Sequence, residues 1–289
     1  MQTGVQRVAA IHDLSGFGKA SLTIVIPVLS SMGIQVCPLP TAVLSTHTGF
    51  EGFTFLDLTD HMNPIIDHWK NLNIRFDAIY SGFLGSPKQV DIVLKCVKEF
   101  AAPNQLIVVD PVMGDDGRLY PTMGNEMVVK MKELVGAANL ITPNLTEASL
   151  LLGKTPKEKL SAGEAKSWLR ALAELGPNMV VITSAAFNNT NSVFVLAYDR
   201  NTDRFWKVEH KHVRAHFAGT GDMFTSILVG GLLQGENFPA SIERAVEFVR
   251  LAIYSTYGYG QDVLKDGIVL EKVLHTARAP LGSYTYETF

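Results

Sequence analysis

Short runs of unbroken apolar residues alternate along this chain with stretches whose apolar positions recur at helical spacing. "RVAAI" (7–11) predicts a buried strand and residues 19–32 a helix containing Pro27. "IQVCPLP" (34–40) predicts a second strand, 60–71 a helix, "DAIYSG" (77–82) a strand and 87–100 a helix. The clearest strand is "QLIVVDPV" (105–112), a continuous apolar run ending on an acid. A helix at 122–135, the strand "NLITP" (139–143), a helix starting near Asn144 and another at 161–175 follow. "MVVITS" (179–184) is again strand-like. "SVFVLAYD" (192–199) and "RFWKVEH" (204–210) flank "RNTD" and predict an antiparallel hairpin. Residues 222–234 and 240–256 predict two helices. Unbroken apolar strands alternating with helices mean an α/β fold: a mostly parallel central sheet with helices on both faces. The hairpin adds antiparallel strands at one edge. No repeat or long linker divides the chain, so residues 1–289 are expected to form one domain.

Composition narrows the partners. Hydrophobic residues make up 47% and charged residues 18%, enough apolar surface for a large core and against disorder. The net charge of −3, without a polybasic block, argues against nucleic acid or an anionic membrane as partner. Cys37 and Cys96 form no CxxC pair and read as buried free thiols of a reducing compartment. The start "MQTGVQRVAAIHD" has no signal-peptide pattern, and "SLTIVIPVLSSMG" is too short and interrupted to span a bilayer, so a cytoplasmic protein is expected.

In sheets of this kind ligands bind at the carboxyl ends of the strands. Read in order, those ends hold Asp13 and Ser15, then His47 and Thr48, then Ser81, Gly82 and Phe83. Next come Asp110 and Asp115, then Thr142, Asn144 and Glu147, then Thr183 and Ser184. Several familiar motifs are absent. "SGFGKAS" (15–21) lacks the glycine and the hydroxyl residue of a P-loop, no GxGxxG opens a helix, and "DPVMGDDG" lacks EF-hand spacing.

"FAGTGDM" (217–223) is the most informative stretch. A helix N-terminus exposes unpaired N–H groups with positive partial charge, and glycines let an anion approach them closely. Gly219, Thr220 and Gly221 could hold a transferring phosphoryl group, and Asp222 could take the proton of an attacking hydroxyl. The bland alternative is that Asp222 caps the helix. Asn144 and Glu147 likewise read either as a capping box or as part of a hydrated Mg²⁺ site, with Glu147 and Asp110 around the ion.

Taken together, "HTGF" (47–50), "YSGFLGS" (80–86), "DPVMGDDG" (110–117), "ITPNLTEASLL" (141–151), "VVITS" (180–184) and "GTGDMF" (219–224) resemble the ribokinase superfamily, and within it the pyridoxal kinase branch. They follow the family's order over most of the chain. The resemblance implies an ATP-dependent kinase acting on the 5′-hydroxymethyl group of a B6 vitamer, without a separate lid domain, and a homodimer. It implies Asp222 as base and Gly219, Thr220 and Gly221 as the anion hole. Asp110, Asp115, Thr142, Asn144, Glu147, Thr183 and Ser184 would line the region of ATP, Mg²⁺ and a monovalent cation such as K⁺. Asp13, Ser15, His47, Thr48 and Phe83 would lie at the vitamer, and "EHKHVRAHF" (209–217) would form a loop over the nucleotide.

Two positions depart from the family pattern: Asp13 stands where serine is usual, and Phe83 where tyrosine is frequent. "HDLSGFG" is also similar to the start of hydroxymethylpyrimidine kinases. Asp13 could pair with the cationic 4′-aminomethyl group of pyridoxamine or could simply bind backbone donors. The alternatives to a B6 kinase are a hydroxymethylpyrimidine (phosphate) kinase and a non-catalytic vitamin or nucleotide sensor.

Overall fold

The computed structural model describes residues 4–187, 192–210, 217–257, 266–282 and 285–289. The first half of the chain gives β1 (Arg7–Phe17), α1 (Leu22–Ser31), β2 (Gln35–Thr46), β3 (Phe55–Asp57), α2 (Thr59–Asn71), β4 (Ala78–Ser81), α3 (Pro87–Glu99) and β5 (Leu106–Val109). Then come β6 (Gly114–Asp115), β7 (Arg118–Leu119), α4 (Asn125–Gly136), β8 (Leu140–Ile141), α5 (Leu145–Leu152), β9 (Lys159–Leu160) and α6 (Ala162–Glu174). The last part holds β10 (Met179–Phe187), β11 (Val193–Asp199), β12 (Arg204–His210), α7 (Thr220–Leu233), α8 (Phe238–Tyr257) and β13 (Glu287–Thr288).

The main sheet runs β13-β12-β11-β10-β8-β5-β4-β1-β2-β3, with β9 also paired to β10. From β10 to β2 all neighbours are parallel, as the unbroken apolar runs predict. The expected hairpin is β11–β12, joined antiparallel from Val193↔His210 to Asp199↔Arg204. It is not outermost: β13 pairs beyond it, Trp206 against Thr288. The far edge also ends antiparallel, in β3. Apart from β8, which the apolar pair in "NLITP" marks, strands of two or three residues have no alternation to read, so β3, β6, β7, β9 and β13 were invisible to pattern.

Alternation through the sheet feeds two cores. Ile11, Ile79 and Val109 pack under the face covered by α2 to α6, and Ala10, Tyr80 and Val108 under the face covered by α1, α7 and α8. Each fully buried Leu or Ile contributes roughly 1.5–3 kcal/mol. Cys96 lies in the first core and Cys37 is half-buried, both free thiols as expected.

Two strands run past the expected ends. β1 continues to Phe17 and β2 to Thr46, still paired as Leu14↔Val43 and Phe17↔Thr46. Asp13 and Ser15 therefore lie inside β1, not in a loop after it; their polarity hid the strand. The register shifts between His12 and Leu14, a bulge of the kind that re-aims side chains beside functional sites. The following helix starts at Leu22, later than position 19, because Ser21 takes φ 53°, ψ −128°, which no helix accommodates. Among the described residues no helix is long and apolar enough to cross a membrane.

Candidate active site

The "GTGD" turn opens α7. Gly219 is the N-cap, in left-handed conformation at φ 82°, and a Cβ there would come within 2.6 Å of the Lys19 carbonyl. Only glycine lets the turn pack this tightly against residues 19–24. Thr220 Oγ1 donates to the Phe217 carbonyl at 3.2 Å. No side chain caps this helix, so its first N–H groups remain available to an anion. The capping reading of Asp222 thus fails. The carboxylate instead reaches across the molecule, its Oδ2 accepting the Ser21 N–H at 2.8 Å. Its Oδ1 lies 3.7 Å from His12 Nδ1. Burial pushes Asp222 up to about 7, with the Ser21 N–H opposing and the charge of Asp13 adding to the rise. A carboxylate poised near neutrality suits general-base work.

The β1 bulge brings further polar groups to the same place. Asp13 is buried, accepting from Ser15 Oγ at 3.2 Å and from the Ser21 hydroxyl. Burial raises its carboxyl above the ordinary range, and those two hydroxyls hold it down. His12 is fully buried, and among the described residues neither ring nitrogen meets a partner at hydrogen-bond geometry, the Tyr80 backbone being its nearest polar neighbour in effect. Its ring packs edge-on to Tyr80 at 4.4 Å, and desolvation drops it to about 3, so the imidazole is neutral. Gly82 makes room for it: a Cβ there would stand 2.5 Å from His12 Cε1. Phe83, next in the chain, is half-buried, and its carbonyl accepts from Thr41 Oγ1 at 3.3 Å.

A second carboxylate group adjoins the anion turn. Asp110, at the end of β5, is buried with its Oδ2 3.6 Å from where a Cβ on Gly221 would be. Desolvation, then Glu147 and Asp222, push its carboxyl well above the usual range. Burial takes Glu147 up to about 8 against the N–H groups of Asn144 and Met113, which donate at 2.9 and 3.1 Å. Asn144 and Glu147 do form the capping box of α5, and Asn144 Nδ2 also donates to the Gly114 carbonyl at 2.9 Å. That box and a role at a metal are compatible, since the carboxylate stays among the acids. Asp115, in β6, stands close enough to raise Glu147. Thr142 is buried and accepts from Thr225 Oγ1 at 3.0 Å. Thr183 and Ser184 sit in the irregular stretch of β10 between Ile182 and Ala185, where the Thr183 N–H donates to the Pro143 carbonyl at 3.0 Å. No group of three His, Cys, Asp or Glu among the described residues could hold a metal ion by itself. Two buried, mutually repelling carboxylates fit a Mg²⁺ that keeps waters and arrives with phosphates.

The remaining predicted residues follow the end of β2, where the His47 N–H donates to the Phe17 carbonyl at 3.2 Å. His47 Nδ1 accepts the Gly49 N–H at 3.1 Å, its Cε1 lies 2.8 Å from a Cβ built on Gly49, and its ring is 4.8 Å from that of Phe50. Thr48 is exposed. Of "EHKHVRAHF", residues 211–216 lie outside the described residues. Sequence reasoning missed His12 and Ser21. The one available signal was a histidine interrupting the apolar run of β1; nothing marked Ser21.

Comparison with known proteins places the chain in a family. The model of the phosphomethylpyrimidine kinase family matches residues 59–265. The pyridoxal kinase of Arabidopsis thaliana is 30% identical over 247 residues, covering 82% of this chain and 75% of that one. The pyridoxal kinase PdxY of Burkholderia orbicola is 28% identical over 273 residues, 88% and 90% of the two chains. A crystal structure from Bacteroides thetaiotaomicron, provisionally assigned as a phosphomethylpyrimidine kinase, superposes with TM-score 0.97 at 49% identity over 100% of this chain and 99% of that one. Its orthorhombic form, with pyridoxal, gives TM-score 0.95 at 50% identity over 99% and 100%. Pyridoxal kinase from Lactobacillus plantarum gives 0.87 at 27% identity over 96% and 98%. The chain therefore belongs to the phosphomethylpyrimidine kinase family, within the ribokinase-like superfamily alongside the pyridoxal kinases, and is an ATP-dependent phosphotransferase.

Proposed function

We propose that this kinase phosphorylates the 5′-hydroxymethyl group of a B6 vitamer. The observation that carries the reading is Asp222. It is a largely shielded carboxylate, 13% exposed, raised to about 7, at the mouth of an uncapped helix, and linked through Ser21 to a second acid, Asp13. Asp222 takes the proton as the hydroxyl attacks, and the N–H groups around Gly219, Thr220 and Gly221 hold the charge that develops on the phosphoryl oxygens. Asp110 and Glu147 would hold the Mg²⁺, which when bound neutralises phosphate charge. Thr142, Asn144, Asp115, Thr183 and Ser184 flank that region and are assigned to the nucleotide and to a monovalent cation such as K⁺. Asp13 and Ser15 face the vitamer, with Phe83 and Thr48 as further contacts. We also assign a homodimer, as the family resemblance implies, and a cytoplasmic setting.

Support for the vitamer comes from the Bacteroides thetaiotaomicron structure at 50% identity, crystallised with pyridoxal. A second reading, hydroxymethylpyrimidine (phosphate) as substrate, is favoured by the name of the matching family model and by "HDLSGFG". Phosphorylation assays with pyridoxamine, pyridoxal, pyridoxine and hydroxymethylpyrimidine side by side separate the two; turnover of none of them overturns both. Asp222→Ala should cut kcat by about 10²–10⁴ while ATP still binds. Asp13 buried among hydroxyls also fits a cationic partner, which favours pyridoxamine. An Asp13→Ser variant with an unchanged pyridoxamine-to-pyridoxal ratio of kcat/KM removes that pairing.

A further inference from the structure

Ser21 occupies a backbone conformation that its side chain makes unfavourable. At φ 53° and ψ −128° it lies outside the left-handed helical well, in a region that glycine enters freely and L-residues avoid. Its carbonyl accepts the N–H groups of Ile24 and Val25, both at 2.9 Å, and so starts α1. A glycine could do that with less strain. It could also give Asp222 the same backbone N–H, now at 2.8 Å. What glycine could not give is the hydroxyl, which donates to Asp13 Oδ1 in a buried setting. The strained residue is thus kept where its side chain, not its backbone, is the irreplaceable part.

We propose that Ser21 is a positioning residue that ties the two acids of the site together: its hydroxyl orients Asp13 toward the substrate while its N–H orients Asp222 toward the reacting hydroxyl. The two bonds leave the same residue, so the spacing between Asp13, the acid assigned to the substrate, and Asp222, the base, is fixed by a single turn. The Leu14–Ser21 bridge closes that turn back onto β1, next to Asp13. Ser15 Oγ, at 3.2 Å, is the longer and weaker second donor to Asp13 and leaves Ser21 as its main anchor. The inference rests on the vitamer-kinase reading given above.

The test separates hydroxyl from backbone. Ser21→Gly deletes the hydroxyl, keeps the N–H to Asp222 and relaxes the turn; Ser21→Ala deletes the hydroxyl and keeps the strain. Both should raise KM for the vitamer by about 10- to 100-fold, the loss of one hydrogen bond to a charged group, with kcat held within about threefold. Thermal denaturation should show Ser21→Gly at least as stable as wild type. Unchanged KM in both variants, or a fall in kcat at constant KM, overturns the inference while leaving the kinase reading standing. A wild type that phosphorylates no vitamer removes that reading, and the inference with it.

Discussion

Replacing Asp222 by asparagine should stabilise the empty protein while disabling it. The fold raises this carboxyl from 3.8 to about 7, chiefly by burial. A group whose folded value lies above its unfolded one leaves stability intact below 3.8 and removes it as pH climbs through 7. At about 1.4 kcal/mol per unit, the raised carboxyl of Asp222 costs about 4 kcal/mol at pH 8, where it is ionised, and under about 2 kcal/mol at pH 5, where the fold keeps it protonated. The side chain is only 13% exposed, so solvent screening removes little of this. Asparagine keeps an oxygen for the Ser21 N–H, now a neutral bond weaker by about 1 kcal/mol. Its amide would also face His12 Nδ1, 3.7 Å from the present Asp222 Oδ1, without the charge of a carboxylate. The net gain is on the order of 2–3 kcal/mol at pH 8, or a Tm about 4–8 °C above wild type, and shrinks to within about 1 kcal/mol at pH 5.

The assay is thermal unfolding of both proteins, without ligand, at pH 5 and pH 8. Effects common to the two chains cancel in the difference of differences. A Tm gap that fails to widen from pH 5 to pH 8 refutes the claim that the fold holds Asp222 against its charge. A gap that widens while kcat drops by about 10²–10⁴ shows one carboxylate trading stability for catalysis.

The same shift predicts that kcat/KM rises with pH toward about 7, since Asp222 must lose its proton before it can accept another; a flat profile down to pH 5 contradicts the base assignment. Gly219→Ala places a Cβ 2.6 Å from the Lys19 carbonyl at a φ of 82°, so Tm and kcat should both fall, the former by the equivalent of about 1–3 kcal/mol, as read by calorimetry and steady-state kinetics. Gly82→Ala crowds His12 Cε1 to 2.5 Å and should cost about 1–3 kcal/mol in denaturant unfolding. Adding His12→Ala should then return part of that loss, and strict additivity of the two changes would refute the contact.

The sequence made the architecture readable because each inner strand is buried on both faces and so leaves an unbroken apolar run. Val8 to Ile11, Ala78 to Tyr80 and Ile107 to Val109 are all of this kind. The acids at the strand ends were readable for a related reason: Asp110 and Glu147 interrupt apolar stretches where burial of a charge requires a purpose. Strand length was another matter. Beyond Ile11 the strand β1 carries His12, Asp13 and Ser15, and its continuation depends on the partner β2, a long-range fact no local pattern records. The choice between cap and base at α7 was closed to local pattern for the same reason. Whether Asp222 bonds its own helix or Ser21, 201 positions earlier, is decided by where α1 packs against α7.

His12 and Ser21 show how such a site is assembled from residues that belong to no motif. In a regular strand, His12 and Asp13 would point to opposite faces. The bulge between His12 and Leu14 breaks that alternation, so the imidazole approaches Asp222 while the neighbouring Asp13 lies close enough to raise the same carboxyl. Ser21 then supplies both acids with donors, at the expense of its own φ. Asp13, Asp110, Glu147 and Asp222 are all displaced upward by burial, and an ordinary core does not keep four acids in that condition. Among the described residues, their neighbours oppose the displacement with neutral hydroxyl and N–H groups, which satisfy geometry and leave charge unbalanced. A cation at Asp110 and Glu147, and a donor group on the substrate at Asp13, would each relieve a different part of that imbalance. Binding energy would then be strongest where the empty fold is least stable, and the chemistry proposed for Asp222 would lie between two acid sites completed by ligands rather than in a finished pocket.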